Sequence, residues 1–558
     1  MPVRDGGALS VSTKLAVLQL IVVVAACGFF FFYSLGALGL LGADEPRYAQ
    51  IGREMLERHD WVVPTLNGTP WLEKPVLLYW MEMLAYREYG MHDWVARVPS
   101  ALLGSVLVIA IFFFMRRFRP GSELDAALIT ASMAGVLAFA RGASTDMPVS
   151  APLCMALLAW WAWNETEKKS WLAVFYALLA LGALAKGPVA PAFAVLIIAA
   201  YAVLRRDGKI FFRTIWWPGF GLFLALALPW YIAVQNKVPQ FFHVFFVEHN
   251  LERFGTNLYR HTQPLWYYIP VFVLASMPWV AIELPALGIA IRDLVAKVRS
   301  AGEDAEPDAA DDNLVHFLIL WTLIPVIFFS ISRSKLPGYI LPAIPPAGIL
   351  TAAFLHRLQK VPRLMLMLHS LVCGAILGGA LLTPWLMFKL PVPDATRNIV
   401  IMSAGLTAIS VLAIVRWKGI QVLRFATMLP LVLAITFLLH PAVANLVNQK
   451  QSARPIADRL SELGVGAQPV VVLEVRREVD YGLNFYRNQR PLHYEQDGVP
   501  GGAHVVVTRQ GNGDAIRALA GGRETTSLGV FAPQRLEFFA VAARPDQQEE
   551  KPDDKPQK

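Results

Sequence analysis

The sequence predicts a polytopic α-helical membrane protein with a small α/β domain at its C-terminal end, and three observations carry that reading. The 558-residue chain is 55% hydrophobic and only 16% charged, with a mean hydropathy of +0.46, whereas a soluble chain carries about 25% charged residues. Its apolar residues gather into runs close to the ~20 residues that span a bilayer. From residue 441 onward the composition turns into that of a soluble domain.

Taken in order, apolar segments read as spans at 15–41, 97–115, 124–140, 147–163, 171–185, 187–204, 215–235, 265–291, 314–331, 339–356, 364–388, 398–415 and 422–440, about thirteen in all. Arg4 and Lys14 precede the first run as they do in a signal peptide. The run is too long for one and lacks a small-residue cleavage site, so it reads as a retained anchor. Lys186-Gly187-Pro188 divides 171–185 from 187–204. These two are either one broken helix or two crossings, and together they are long enough to cross twice.

The basic residues orient the bundle. With a cytoplasmic N-terminus, the inside loops hold Arg116-Arg117-Phe118-Arg119, Lys168-Lys169, Arg205 to Arg213, Arg292 to Arg299, Arg357 to Arg363 and Arg416 to Arg424. Each is basic, as the positive-inside rule requires. The formal charge of +8 is thereby accounted for without nucleic acid as a partner. An odd number of spans then puts the chain after 441 outside. Cys27, Cys154 and Cys373 all lie inside apolar runs and form no disulfide framework or metal motif. The chain contains no internal repeat, Walker loop, dinucleotide fingerprint or nucleophile elbow.

The domains follow from this: 1–440 is the membrane domain, 441–543 a compact α/β unit, and 544–558 a disordered Pro/Asp/Glu/Lys/Gln tail. In the α/β unit, 470–473 and 504–508 read as buried strands and 452–463 and 513–520 as helices. Two outer segments, 42–96 and 236–264, are rich in Trp, Tyr, His and mixed charge. They read as amphipathic interfacial elements covering the outer face. The acidic stretch 302–312 reads as a solvated cytoplasmic loop.

Every unusual polar cluster falls on that outer side. Gly42-Ala43-Asp44-Glu45-Pro46-Arg47-Tyr48 follows the first span, with Pro46 read as stopping that helix. Glu73-Lys74-Pro75 lies in the first outer segment, Arg141 to Pro148 links two spans around Asp146, Lys186-Gly187-Pro188 links two more, and Arg333-Ser334-Lys335-Leu336-Pro337-Gly338-Tyr339 a further pair. Each has a plain alternative: Asp146 as a helix cap, Lys186 and Lys335 as lysines reaching for headgroups, Tyr339 as an interfacial ring, Glu73 and Lys74 as a surface ion pair. Together, two acidic turns and several cations on one face describe a water-filled cavity for an anionic substrate. The cations would bind phosphate, and a carboxylate would do acid/base or positioning work.

Gly-Ala-Asp-Glu-Pro-Arg-Tyr and Leu-Glu-Lys-Pro-Val-Leu-Leu-Tyr-Trp, followed by Arg-Gly-Ala-Ser-Thr-Asp-Met-Pro, Ala-Lys-Gly-Pro, Glu-His-Asn-Leu-Glu-Arg-Phe and Ser-Lys-Leu-Pro-Gly-Tyr-Ile-Leu-Pro, lie within residues 35–350, the stretch that the resemblance covers. They resemble the membrane glycosyltransferases of GT-C type, and among them the lipid A 4-amino-4-deoxy-L-arabinose transferase family, related to the protein O-mannosyltransferases. The resemblance implies an inverting glycosyltransferase of the inner membrane, working at its periplasmic face. It would move a sugar from undecaprenyl phosphate to a lipid A phosphate, a modification that confers polymyxin resistance. Asp44 and Asp146, with Glu45, would be the catalytic acids; Lys74, Tyr339, Lys335 and Arg253 or Arg260 would hold the carrier phosphate; Glu73 and His249 would bind a divalent metal, zinc. Two other readings stand beside this one. A polyprenyl-phosphate-dependent mannosyltransferase or other envelope glycan transferase shares the motifs. A lipid-linked sugar flippase shares the membrane character, although transporters show repeats and midplane sites that this sequence lacks.

Overall fold

A computed structural model describes residues 11–246, 263–300 and 310–544. All thirteen apolar segments are helical, and their departures from simple spans have local causes. The first helix, Val11–Cys27, runs on through a π turn, Gly28–Phe32, and the chain is irregular from there to residue 43. Segment 124–140 is two helices, Glu123–Ser132 and Ala134–Ala140, bent by 65° at Met133. Lys169–Lys186 and Val189–Leu204 are separate helices joined at Gly187, whose φ of +72° suits glycine.

Among the described residues, nine helices are long and apolar enough to cross a bilayer alone, or ten if the bent pair counts as one span. The segments that fall outside this set are 147–163, 187–204 and 265–291. The first forms Asp146–Thr166, with Pro148 and Pro152 in it, and is buried along most of its length. Enclosed by protein, such a helix need not be apolar enough to face lipid. The second is short, and the third is divided between Tyr268–Ala275 and Val280–Ser300. The bundle presents exposed Leu15, Ile21, Leu364, Leu371, Ile401 and Ile409 on its flanks, as a surface solvated by acyl chains does.

The loops sort onto two ends. At one, Arg424 pairs with Asp125 at 2.7 Å, Arg205 meets Asn313, and His356 packs against Gly121. These are the loops read as inside. At the other end gather residues 33–96, 141–146, 186–188, 332–339 and the C-terminal domain. Segment 42–96 folds as two helices, Asp44–Glu57 and Leu77–Tyr89, with a hairpin pairing Thr65–Leu66 and Thr69–Pro70 between them.

After helices Pro441–Gln451 and Arg454–Glu462, the C-terminal domain builds a five-stranded sheet. Its order is Leu492–His493, Val470–Leu473, His504–Arg509, Leu536–Val541, Thr525–Phe531; the first three are mutually parallel, and Leu536–Val541 runs antiparallel to both its neighbours. The strands read at 470–473 and 504–508 and the helices at 452–463 and 513–520 are present. The short and half-exposed strands, and helix Arg477–Arg487, gave no clear signal in the sequence. That last helix docks the domain onto Asp44–Glu57: Arg53 Nη1 donates to the Phe485 carbonyl at 2.7 Å with its guanidinium 4.3 Å from the Phe485 ring. Tyr486 accepts from the Leu40 amide at 2.7 Å, and Asn484 donates to Asn67 at 2.8 Å. Helix Asp44–Glu57 is therefore roofed by protein, rather than lying open at the interface as its composition suggested. Of the tail read at 544–558 all but Arg544 lies outside the described residues, and of the acidic loop read at 302–312 only 310–312 are described, where they begin helix Ala310–Ile331.

Candidate active site

Two helix starts repeat one design. Asp44 opens Asp44–Glu57 and Asp146 opens Asp146–Thr166, each with a proline two residues later, Pro46 and Pro148. In the first turn a proline's missing N–H removes no helical bond, so Pro46 begins a helix where it was read as ending one. Both carboxylates favour the positive end of their helix. Neither acts as a cap: the cap residues are Ala43 and Thr145, without side-chain cap bonds. Instead Asp44 Oδ1 accepts from Arg47 Nη2 at 2.6 Å, and Asp146 Oδ1 accepts from Lys186 Nζ at 2.6 Å. Asp44 is 59% exposed while its arginine is buried, so a reactive partner can reach the carboxylate.

Glu45 has a different situation. Its oxygens accept from Arg97 Nε at 3.0 Å and Nη2 at 2.6 Å, from the Leu41 amide at 2.7 Å and the Ala143 amide at 2.8 Å. Arg97 also donates to the carbonyls of Leu35, Leu38 and Gly39. This bidentate pair, its arginine buried and its glutamate nearly so, ties the end of the first span to the turn before Asp146.

Arg47 is held among rings, its guanidinium carbon 4.9 Å from the Trp71 ring, 5.0 Å from Tyr48 and 5.5 Å from Tyr481. Burial opposes its charge, but Tyr48, Asp44 and Glu73 around it outweigh that and hold it protonated beyond its ordinary range.

Next to these aspartates lies a cavity of about 400 Å³ lined at its polar end by Glu73, Lys74, Lys186 and Tyr339. Phe193, Phe328 and other apolar side chains continue its walls. Lys186 Nζ sits 5.0 Å above the Tyr339 ring while bonded to Asp146. Gly338 makes that approach possible, since a Cβ there would lie 2.6 Å from the Asp146 carboxyl carbon. Lys74 is buried, with Nζ donating to the Glu73 carbonyl at 3.1 Å. Lys335, also buried, donates to the carbonyls of Ser332 at 2.5 Å and Gln263 at 3.1 Å, tying the turn whose Ser332 and Ser334 line the cavity.

Thus Glu73, Lys74 and Tyr339 line one cavity together with Lys186, Asp146 is tied to it through its bond to Lys186, Asp44 stands near it through Arg47, and Lys335 supports its wall. Arg253, Arg260 and His249 lie outside the described residues. Among the described residues no three His, Cys, Asp or Glu side chains come together at a metal-sized site, and Glu73 alone remains of the expected zinc pair. Three residues take part that the sequence reading gave no role: Lys186 and Arg47, which it placed in the outer polar clusters, and Arg97. Lys186 carried a signal in Ala-Lys-Gly-Pro and Arg47 stands within Asp-Glu-Pro-Arg, but Arg97, the first residue of the span read at 97–115, stands in none of the motifs. A polar lining with two lysines, continued by apolar side chains, fits a lipid with a negatively charged head.

Residues 73–232 match the family described as dolichyl-phosphate-mannose-protein mannosyltransferase. The chain is similar to proteins named undecaprenyl phosphate-alpha-4-amino-4-deoxy-L-arabinose arabinosyl transferase. That of Yersinia enterocolitica is 33% identical over 320 residues, 56% of this chain and 54% of that protein. Over that match the chain thus spans about half the length of this relative. The first such transferase of Pseudomonas fluorescens is 28% identical over 83% of this chain and 86% of its own, and that of an Enterobacter species 27% identical over 88% and 92%. The fold matches the crystal structure of ArnT from Cupriavidus metallidurans bound to undecaprenyl phosphate, with a TM-score of 0.73 and 23% identity over 95% of this chain and 98% of that one.

Proposed function

We propose that this chain, a membrane protein of the aminoarabinosyl transferase family of GT-C type, moves 4-amino-4-deoxy-L-arabinose from undecaprenyl phosphate to a lipid A phosphate at the periplasmic face of the inner membrane. The observation that carries the proposal is the cavity in which Lys74, Lys186 and Tyr339 surround a polar end continuous with an apolar wall. A polyprenyl chain fits such a wall and its phosphate fits the cations.

In the transfer, the bond between the sugar's anomeric carbon and the carrier phosphate oxygen breaks, and its electron pair stays on that phosphate. Lys74 and the Tyr339 hydroxyl stabilise the added charge, and Arg253 or Arg260 of the second outer segment would complete that cradle. The anomeric carbon becomes electron-poor and is attacked from the opposite face, with inversion, by an acceptor oxygen. A lipid A phosphate is already ionised and needs no base. Asp44, fixed by Arg47, stabilises the oxocarbenium-like carbon, and with Asp146 offers a favourable place to a cationic amino sugar. Asp146 in turn holds Lys186 over Tyr339. Glu73 and His249 would hold zinc, and metal analysis of the purified protein with and without Glu73→Gln tests that part.

The test of the reading is mass spectrometry of lipid A from cells with and without the gene. A pentosamine adduct that depends on the gene is the expected result. An adduct on protein or on another glycan, with lipid A unmodified, selects the mannosyltransferase-like reading instead.

A further inference from the structure

We propose that Tyr481, carried by the C-terminal domain, is a positioning residue of the transfer site, because its ring closes the aromatic cage around Arg47. The inference rests on the transferase reading above. Two walls of the cage, Tyr48 and Trp71, come from the first outer segment; the third comes from a domain far along the chain. Among the described residues Arg47 has few polar bonds to hold it. Its Nη2 meets Asp44 at 2.6 Å and the Tyr48 hydroxyl at 3.4 Å, while its buried Nε, like Trp71 Nε1 beside it, has no hydrogen-bond partner among those residues. The orientation of the guanidinium, and with it that of the Asp44 carboxylate, therefore depends on the rings packed against it.

Tyr481 is set independently of Arg47. Its helix, Arg477–Arg487, is anchored to the outer segment at Phe485, Tyr486 and Asn484. Leu483 of the same helix packs into the domain's own core, while Tyr481 packs against the apolar cluster of the membrane part. A ring delivered this way acts as a brace that links docking of the domain to the geometry of Asp44. Losing it opens one face of the cage and lets the arginine leave an aspartate that is itself largely exposed.

The experiment uses the full-length protein in native membranes or lipid discs. It measures kcat and KM for the carrier-linked aminoarabinose with lipid A as acceptor, together with thermal unfolding, for Tyr481→Phe, Tyr481→Leu and Tyr481→Ala. Phe keeps the ring and is expected to keep wild-type turnover. Leu and Ala should lose about 5- to 30-fold in kcat, the equivalent of a partly desolvated cation–ring contact, with KM and the unfolding midpoint little changed. In an Arg47→Lys background, Tyr481→Leu should cost markedly less, since the planar cation it braces is gone. Wild-type kcat in Tyr481→Leu, equal losses in Phe and Leu, full additivity with Arg47→Lys, or a loss that follows a lowered unfolding midpoint would each overturn the inference while leaving the transferase reading intact. A wild-type chain that transfers no aminoarabinose removes that reading, and the inference with it.

Discussion

At the residue scale the site is a set of charges whose partners decide what each can do. Asp44 and Asp146 each hold one cation at 2.6 Å, and neither caps its helix. Asn caps a helix about as well as Asp, so a capping role tolerates Asp44→Asn and Asp146→Asn. A role in transfer does not. Both variants are expected to insert and accumulate normally and to leave lipid A unmodified; wild-type adduct levels in both would return the aspartates to a structural role. For Lys74, a desolvated ammonium–phosphate contact is typically worth ~1.5–3 kcal/mol. Lys74→Ala should therefore cost roughly ten- to a hundred-fold in turnover efficiency, with Lys74→Arg restoring part of it. The measurement is transfer by membranes carrying equal amounts of each variant.

At the scale of elements, close approach between helices and turns holds these charges in place. The turn at Gly338 brushes the Asp146 carboxylate with no room for a methyl group. Gly338→Ala is expected to displace Asp146 or the turn, break the bond to Lys186 and lower transfer at least as much as losing one charge. A Gly338→Ala protein with normal activity would mean that the turn yields freely. Helix Leu77–Tyr89 meets Asp44–Glu57 in the same way, with Glu82 fully buried under Gly52 and neither of its oxygens hydrogen-bonded among the described residues. Burial first, and nearby Glu45 second, push the Glu82 carboxyl well above the usual carboxylate range. Unfolded, this group ionises near its ordinary value of 4.5; folded, it keeps its proton to higher pH. The folded state thus binds more protons above that value, and the Glu82 contribution to stability is lost progressively as pH rises. Glu82→Gln should raise the unfolding midpoint at pH 8, with the difference closing toward pH 4.5. Thermal scans of detergent-solubilised protein across that range check the sign.

At the scale of the whole molecule, two sets of loops separate to two ends, with the C-terminal domain seated over the end that carries the acidic turns. A periplasmic-active reporter fused after residue 540 should be active, and a cytoplasmic one silent; the reverse would invert the proposed orientation and move the acidic turns to the cytoplasm. Much of this arrangement was legible beforehand. Hydrophobicity sums over neighbours in the chain, so apolar runs, basic loops and the change of composition at 441 by themselves determined a helical membrane protein with a soluble C-terminal unit. The motifs around Asp44, Lys74, Asp146 and Tyr339 likewise marked one face. The tertiary structure alone decided which charge meets which: Asp146 with Lys186, Glu45 with Arg97, and Arg47 with a ring from the far domain. It also decided that segments such as 147–163 are wrapped in protein and so need not satisfy lipid. Such pairings join residues distant in sequence through the packing of whole helices, and no local pattern of residue types records that packing.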